Sequence, residues 1–273
     1  MQLLRAEWKK HRTFREAWVG YLLGFAFLLL SLYMESSSSG LKWFGVQQDI
    51  YTYGATLTAF LIVIGLSRLF CYERERNTSC LLRTTKNGLT NSYAAKISLT
   101  VQYCAVVVAV IGMLSIVVNG YKFGFAEALG QITEGVYFAQ VPMSNLAYCI
   151  VQYIFLLLGA LYFAGFVLIV ATIVKQSTWV IILCGGCFIA FLGYYYVGYL
   201  WIQGTWFGRV CDFLFHYGFS GFMLQESFSR LSATSGMLMG NWAQIWRPIL
   251  FVIVTIIIEF AAVWLLWKRK ELR

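Results

Sequence analysis

Four groupings of residues in this 273-residue chain have side chains suited to chemistry. Gly218-Phe219-Ser220-Gly221 sets a serine among small residues. A serine hydroxyl is a weak nucleophile without an adjacent base. The histidines are His11 and His216, and neither follows Ser220 on a later helix. Serine hydrolysis therefore lacks its base, and His216 reads as an interfacial polar residue. Cys184-Gly185-Gly186-Cys187 is spelled like a dithiol motif. It lies in an apolar run, however, where small residues serve close helix packing. No HExxH and no Cys/His cluster offers a metal site, and no Gly-x-x-x-x-Gly-Lys cradles a triphosphate. These absences leave the chain without a catalytic constellation, a metal or a cofactor of its own.

The other two groupings are charges set in hydrophobic surroundings. Glu259 stands in VIVTIIIEFAAVWLLW. A charged acid at a bilayer centre costs roughly 2.5–3.5 kcal/mol, so it must be protonated, paired or facing water. A contact in a translocation path and a hydrogen bond to a neighbouring helix both fit. The fourth grouping, CYERERNTSCLLRTTKNGLTNSYAAK at 71–96, is polar and largely basic, with charge-free apolar sequence on both sides.

These groups need elements to hold them. Hydrophobic residues make up 60% of the chain and charged residues 12%, about half the charged share of a soluble domain. Charge-free runs cover 17–34, 50–67, 97–121, 135–174 and 176–208. A bilayer-spanning helix needs about 20 mostly apolar residues. The expected fold is an all-α integral membrane protein with six spans, near 17–34, 50–71, 96–119, 146–174, 178–201 and 247–267, in one domain over 1–273. Runs such as AVVVAVIGMLSIVV do not alternate as barrel strands do.

With both termini inside, 16 of the 21 Lys and Arg residues face the cytoplasm and five face outward. That asymmetry orients membrane proteins. The net charge of +9 then reads as orientation and contact with anionic lipid, not as nucleic-acid binding. Residues 1–16 are expected to form an interfacial helix carrying Leu4 and Trp8 among Lys9, Lys10, Arg12 and Arg15. A short helix is expected at 125–132. The segment 202–246 is too long for a turn and too apolar for a hydrophilic loop. It reads as short helices dipping into, or lying on, the outer leaflet. Tyr194 to Trp201, including Tyr195 and Tyr199, mark the outer end of span five as interface anchors or as lining for an amphipathic substrate's exit.

A bare connector between two spans needs only a few residues, yet 73–92 is far longer. Asn77 or Thr78 can cap a short helix over 79–86, and Asn87-Gly88 can stop it. A short cytoplasmic helix between two spans can pass a partner's movement into both.

At this point the chain resembles the permease subunits of type-2 ABC exporters. The resemblance is carried by Glu73, Glu75, Thr78, Leu81, Leu82, Thr84, Thr85, Gly88 and Lys96, and at the level of architecture by the basic start, six spans and broken outer segment. Asn77 stands where that family commonly has Gly, and Leu89 where a basic residue often follows. The resemblance implies a coupling helix that docks on a cytoplasmic ATP-binding subunit through Glu73, Glu75, Thr78, Leu81, Leu82, Arg83, Thr85 and Lys86. ATP and its magnesium would belong to that partner dimer. A second permease subunit would complete a path for an amphipathic peptide, lantibiotic or other antimicrobial, out through a bacterial plasma membrane. Glu259, Tyr195 and Tyr199 are the expected path residues. A non-transporting scaffold that binds a cytoplasmic regulator, and an ion-coupled carrier, are the alternatives.

Overall fold

In lipid every backbone N–H and C=O must find a partner inside the protein, so long apolar segments become helices. The computed structural model describes residues 2–12, 15–34, 53–75, 88–126, 128–132, 137–139, 141–202, 204–233 and 239–272. Among the described residues five helices are long and apolar enough to cross a membrane: Ala55–Glu73, Gly88–Val118, Asn145–Ile173, Ser177–Gly198 and Trp242–Arg269. The chain is an all-α membrane-embedded protein.

In chain order the helices are α1 (Gln2–Arg12), α2 (Arg15–Met34), α3 (Ala55–Leu66), α4 (Cys71–Glu75), α5 (Gly88–Phe123), α6 (Asn145–Ile173) and α7 (Ser177–Gly193). A π turn at Tyr194–Gly198 extends α7. Then follow α8 (Tyr199–Ile202), α9 (Trp206–Tyr217), α10 (Phe219–Met223), α11 (Glu226–Ser232) and α12 (Trp246–Leu272). Two residue pairs, Phe138 with Gly240 and Ala139 with Asn241, form a minimal parallel ladder between β1 and β2. The stretch expected as the first span is the 20-residue helix α2, which packs on α3 and α5.

Helix α6 is the hub, packing against α3, α5, α7, α10 and α12. Its buried face includes Gly159, Ala160, Ala164, Gly165 and Ala171. Lipid tails are as apolar as leucine, so helices associate in a membrane by close packing, which small residues permit. At Gly159 an added Cβ would lie 2.8 Å from the backbone of Phe222 and Met223, so the α6 and α10 backbones meet there. Ser144 caps α6 by accepting from the Ala147 N–H at 3.4 Å.

Several boundaries differ from those expected. The second span breaks at Ser67–Phe70, where turns replace the helix before α4 resumes it. Helix α5 starts at Gly88, so Lys96 lies two turns inside it instead of opening it. The helix expected at 125–132 is not formed: the described residues there are turns, and Gln131 bridges Ser144. The carbonyls of Ala128 and Gly130 accept from Leu146 and Asn145, so this backbone bonds to the start of α6. Gly124, at φ +79°, sets the chain's turn out of α5. Helix α1 ends at Arg12, and its inward stripe is polar as well as apolar: Glu7 and His11 are buried beside Leu4 and Trp8.

Candidate functional site

Four charges converge where α1, α4 and α5 meet. Lys96 is 1% exposed, an ammonium group inside the protein. Its Nζ donates to the Leu69 carbonyl at 2.5 Å, lies 3.1 Å from Glu73 Oε1 and sits over the Phe70 ring. Glu73 Oε1 also takes Lys10 Nζ at 3.3 Å, and Lys10 in turn pairs with Glu7 at 2.8 Å. Two acids and two bases thus neutralise one another. Burial pulls the Lys10 pKa down, but Glu7 and Glu73 more than offset this and leave it raised. Next to the cluster, His11 Nε2 donates to the Gly65 carbonyl at 3.1 Å. Burial pushes its pKa down, and the bond to Gly65 only partly opposes this.

Glu75 does something different. Its Oε1 accepts from the Ser177 N–H at 2.9 Å, at the first residue of α7. Gln176, the N-cap, makes no side-chain bond there. A carboxylate at a helix N-terminus satisfies an orphan N–H and complements the helix dipole. Arg68 Nε also reaches Ser177 Oγ, at 3.4 Å. Among the residues expected to couple to a partner, Glu73 is buried and Glu75 is exposed, and both hold elements together. Thr78, Leu81, Leu82, Arg83, Thr85 and Lys86 lie outside the described residues. Lys96 and Lys10 were visible in the sequence as charges, but the pairing of Glu73 with both, and of Lys10 with Glu7, had no sequence signal.

The second site lies in the second half of α6. Glu259 of α12 packs against Gly165: an added Cβ there would overlap Glu259 Oε2 and come within 3.0 Å of its Cβ and Cδ. Glu259 Oε2 is buried and, among the described residues, has no hydrogen-bond partner. One turn before Gly165, Tyr162 donates its hydroxyl to the Tyr217 carbonyl at 2.9 Å.

Tyr217 ends α9, and the segment α9–α11 folds back along α6. Phe219 lies against Phe163 and Phe166, with ring centroids 4.7 and 4.9 Å apart. Further along, Gln225 Nε2 donates to the Gln152 carbonyl at 2.8 Å, and Phe228 stacks on Phe155 at 4.5 Å. The segment therefore reaches past the midpoint of α6 and returns. Gln225, between α10 and α11, has a left-handed φ of 63°, the one positive value at a non-glycine described residue.

Tyr195 stacks on Phe215 and donates to Glu226 Oε1 at 2.9 Å. Burial raises the Glu226 pKa, and Tyr195 and Arg230 partly counter it. The side chain of Tyr199 lies outside the described residues. Ser220 is fully buried, and among the described residues its hydroxyl has no partner. His216 turns instead to Asp212 and Arg230: Nδ1 donates to the Asp212 carbonyl at 2.8 Å, and Nε2 accepts from Arg230 at 2.7 Å. These roles make the ring neutral, since an arginine can only donate. Burial pushes the His216 pKa down, as does Arg230, against the pull of Asp212. Cys184 and Cys187 are free thiols. Gly185 and Gly186 have open space at their Cβ positions, so within this chain they do not serve close packing.

No protein-family model, no curated protein and no solved structure matches the chain.

Proposed function

We propose that the chain is the membrane-embedded permease subunit of an exporter for an amphipathic substrate such as an antimicrobial peptide. Its energy would come from a separate cytoplasmic ATP-hydrolysing subunit, and a second permease chain would complete the path. The observation that carries this reading is how the ends of segment 76–87 are held. On one side Glu73 is ion-paired to α1 and α5, and Glu75 bonds to the start of α7. On the other side the chain continues directly into α5, which carries Lys96. A push on the segment would reach α1, α5 and α7 through short, charged contacts. Glu73 and Glu75 then act as its anchors, and the contacts with a partner fall to residues between them and Gly88.

Two further features support a transport role. The α9–α11 segment, packed to mid-depth on α6, suits a re-entrant hairpin in the outer leaflet, since non-helical backbone at that depth must be covered by protein. The unpartnered Glu259 beside it is the kind of intramembrane acid that marks a substrate or ion pathway. The distribution of Lys and Arg supports cytoplasmic termini, and the proposed exporter would sit in a bacterial plasma membrane.

The reading is tested by co-purification in gentle detergent. An ATPase subunit should accompany the chain, its hydrolysis should rise in the chain's presence, and Leu82→Glu should weaken both. A chain that purifies alone, with Leu82→Glu indifferent, would point to a scaffold. Labelling of Cys80 from outside intact cells would remove the premise.

A further inference from the structure

Helices α1, α2, α3 and α5 enclose a cleft of about 530 Å³, well inside the ~300–1,000 Å³ range of ligand sites. Its two ends differ chemically. Deep in the cleft, Leu57 and Leu61 of α3 face Val107, Val110 and Leu114 of α5. At the α1 end stand Trp8, Arg12 and Trp18. Both indoles are fixed there: Trp8 donates to Gln102 Oε1 at 2.9 Å and Trp18 to the Arg12 carbonyl at 2.8 Å. His11 also lines this end, but its ring is buried and bonded to Gly65. Arg12 is exposed and, among the described residues, has no ionic partner. In contrast, Lys10, two residues earlier in α1, is committed to Glu7 and Glu73.

The cleft is open sideways: Leu22, Phe25, Val106 and Val110 line it while keeping about half their surface or more exposed. Along α5 it runs from Tyr103 to Leu114, which at ~1.5 Å per residue is about 16 Å. One leaflet of a ~30 Å hydrocarbon core has nearly that thickness. An apolar slot one leaflet deep, open to lipid, with two indoles and a guanidinium that lacks an ionic partner among the described residues at its mouth, matches a chain with an anionic head.

We infer that this cleft binds one anionic membrane phospholipid, with an acyl chain along Val107–Leu114 and its phosphate at Arg12. The bound lipid would brace α1 and α2 against α5. The inference stands independently of the transport reading.

The test uses the full chain in mild detergent. It is titrated with phosphatidylglycerol, and separately with phosphatidylcholine of the same acyl chains, and adducts are counted by native mass spectrometry. One phosphatidylglycerol should bind about fivefold better than phosphatidylcholine, the scale of one cation acting on an anionic head. Arg12→Gln should erase that preference, and Val110→Trp, at a half-exposed position, should remove the adduct. Equal binding of both lipids, or an adduct that survives Val110→Trp, overturns the inference. So does palmitate competing as well as phosphatidylglycerol, which would make the site one for free fatty acids. Phosphatidylglycerol with a diazirine in its acyl chain tests the unmutated protein. Cross-links should concentrate on 106–114 and 57–61, and an even spread over α7 and α12 overturns the site.

Discussion

Glu73 and Glu259 are both carboxylates set among apolar helices, and their surroundings are opposite. Glu73 lies within 3.3 Å of two ammonium groups, one from α1 and one from α5. Glu259 lies against a glycine, with Oε2 unpartnered. A buried acid with two cations is a joint, because pulling it apart leaves charges uncompensated in a low dielectric. A buried acid without a partner contributes nothing to cohesion as an anion. The contrast separates an end of the molecule built to stay together from a mid-body position whose acid must be explained by something other than folding.

The comparison is most exposed to Lys96→Ala. Removing one partner of a buried pair costs about 3–5 kcal/mol, and Lys10, still near Glu73, places the loss toward the lower figure. Thermal unfolding in detergent should show a large drop, and Lys96→Met with Glu73→Leu should recover much of it. A loss below about 1 kcal/mol would mean that the cluster behaves like a surface pair. Next in size is Gly165→Ala. The new methyl overlaps Glu259, so overpacking should cost about 1–3 kcal/mol, with most of it relieved in Gly165→Ala/Glu259→Ala. Additive losses in the double variant would separate the two residues. Glu75→Ala should cost about 1 kcal/mol, the scale of a lost helix cap, and hydrogen exchange should quicken in the first turn of α7 only.

A smaller, pH-dependent effect is expected at His216. Its folded pKa lies below the ordinary histidine value, so the unfolded chain binds the extra proton first. Stability from this group is therefore complete above that ordinary value and falls as pH drops through it toward the folded pKa. His216→Gln should flatten the thermal midpoint between pH 7.5 and 5.5, and an unchanged slope would place the titration elsewhere. Smallest of all on stability is Glu259→Gln, expected within about 0.5 kcal/mol of the parent, while export of an amphipathic probe falls. A large destabilisation would instead make Glu259 a second structural joint.

How far these sites could be read beforehand varied with the range of the interactions. The spans at 146–174 and 247–267 fall within a few residues of α6 and α12, because their apolar runs have unambiguous ends. Lys96 and Glu73 stand out as charges beside apolar sequence, but their pairing with Lys10 requires α1 to fold onto α5, far away in the chain. Nothing in the basic stretch around Glu7 and His11 marks them for burial, and packing buried both. The helix expected at 125–132 failed because its backbone found partners at the start of α6. Glu259 was conspicuous from its neighbours alone, whereas Gly165 carried no hint of lying opposite it.

Hydropathy and charge placement, read along the chain, determine that this protein is a bundle of apolar helices, because lipid admits few other ways to satisfy the backbone. They also determine that isolated charges within those helices need accommodation. Which acid receives cations and which receives only a glycine was decided by tertiary packing. So was the return of α9–α11 along α6 and the cleft beneath α1. Those outcomes depend on side chains brought together from distant parts of the sequence, and helical periodicity has no information at that range.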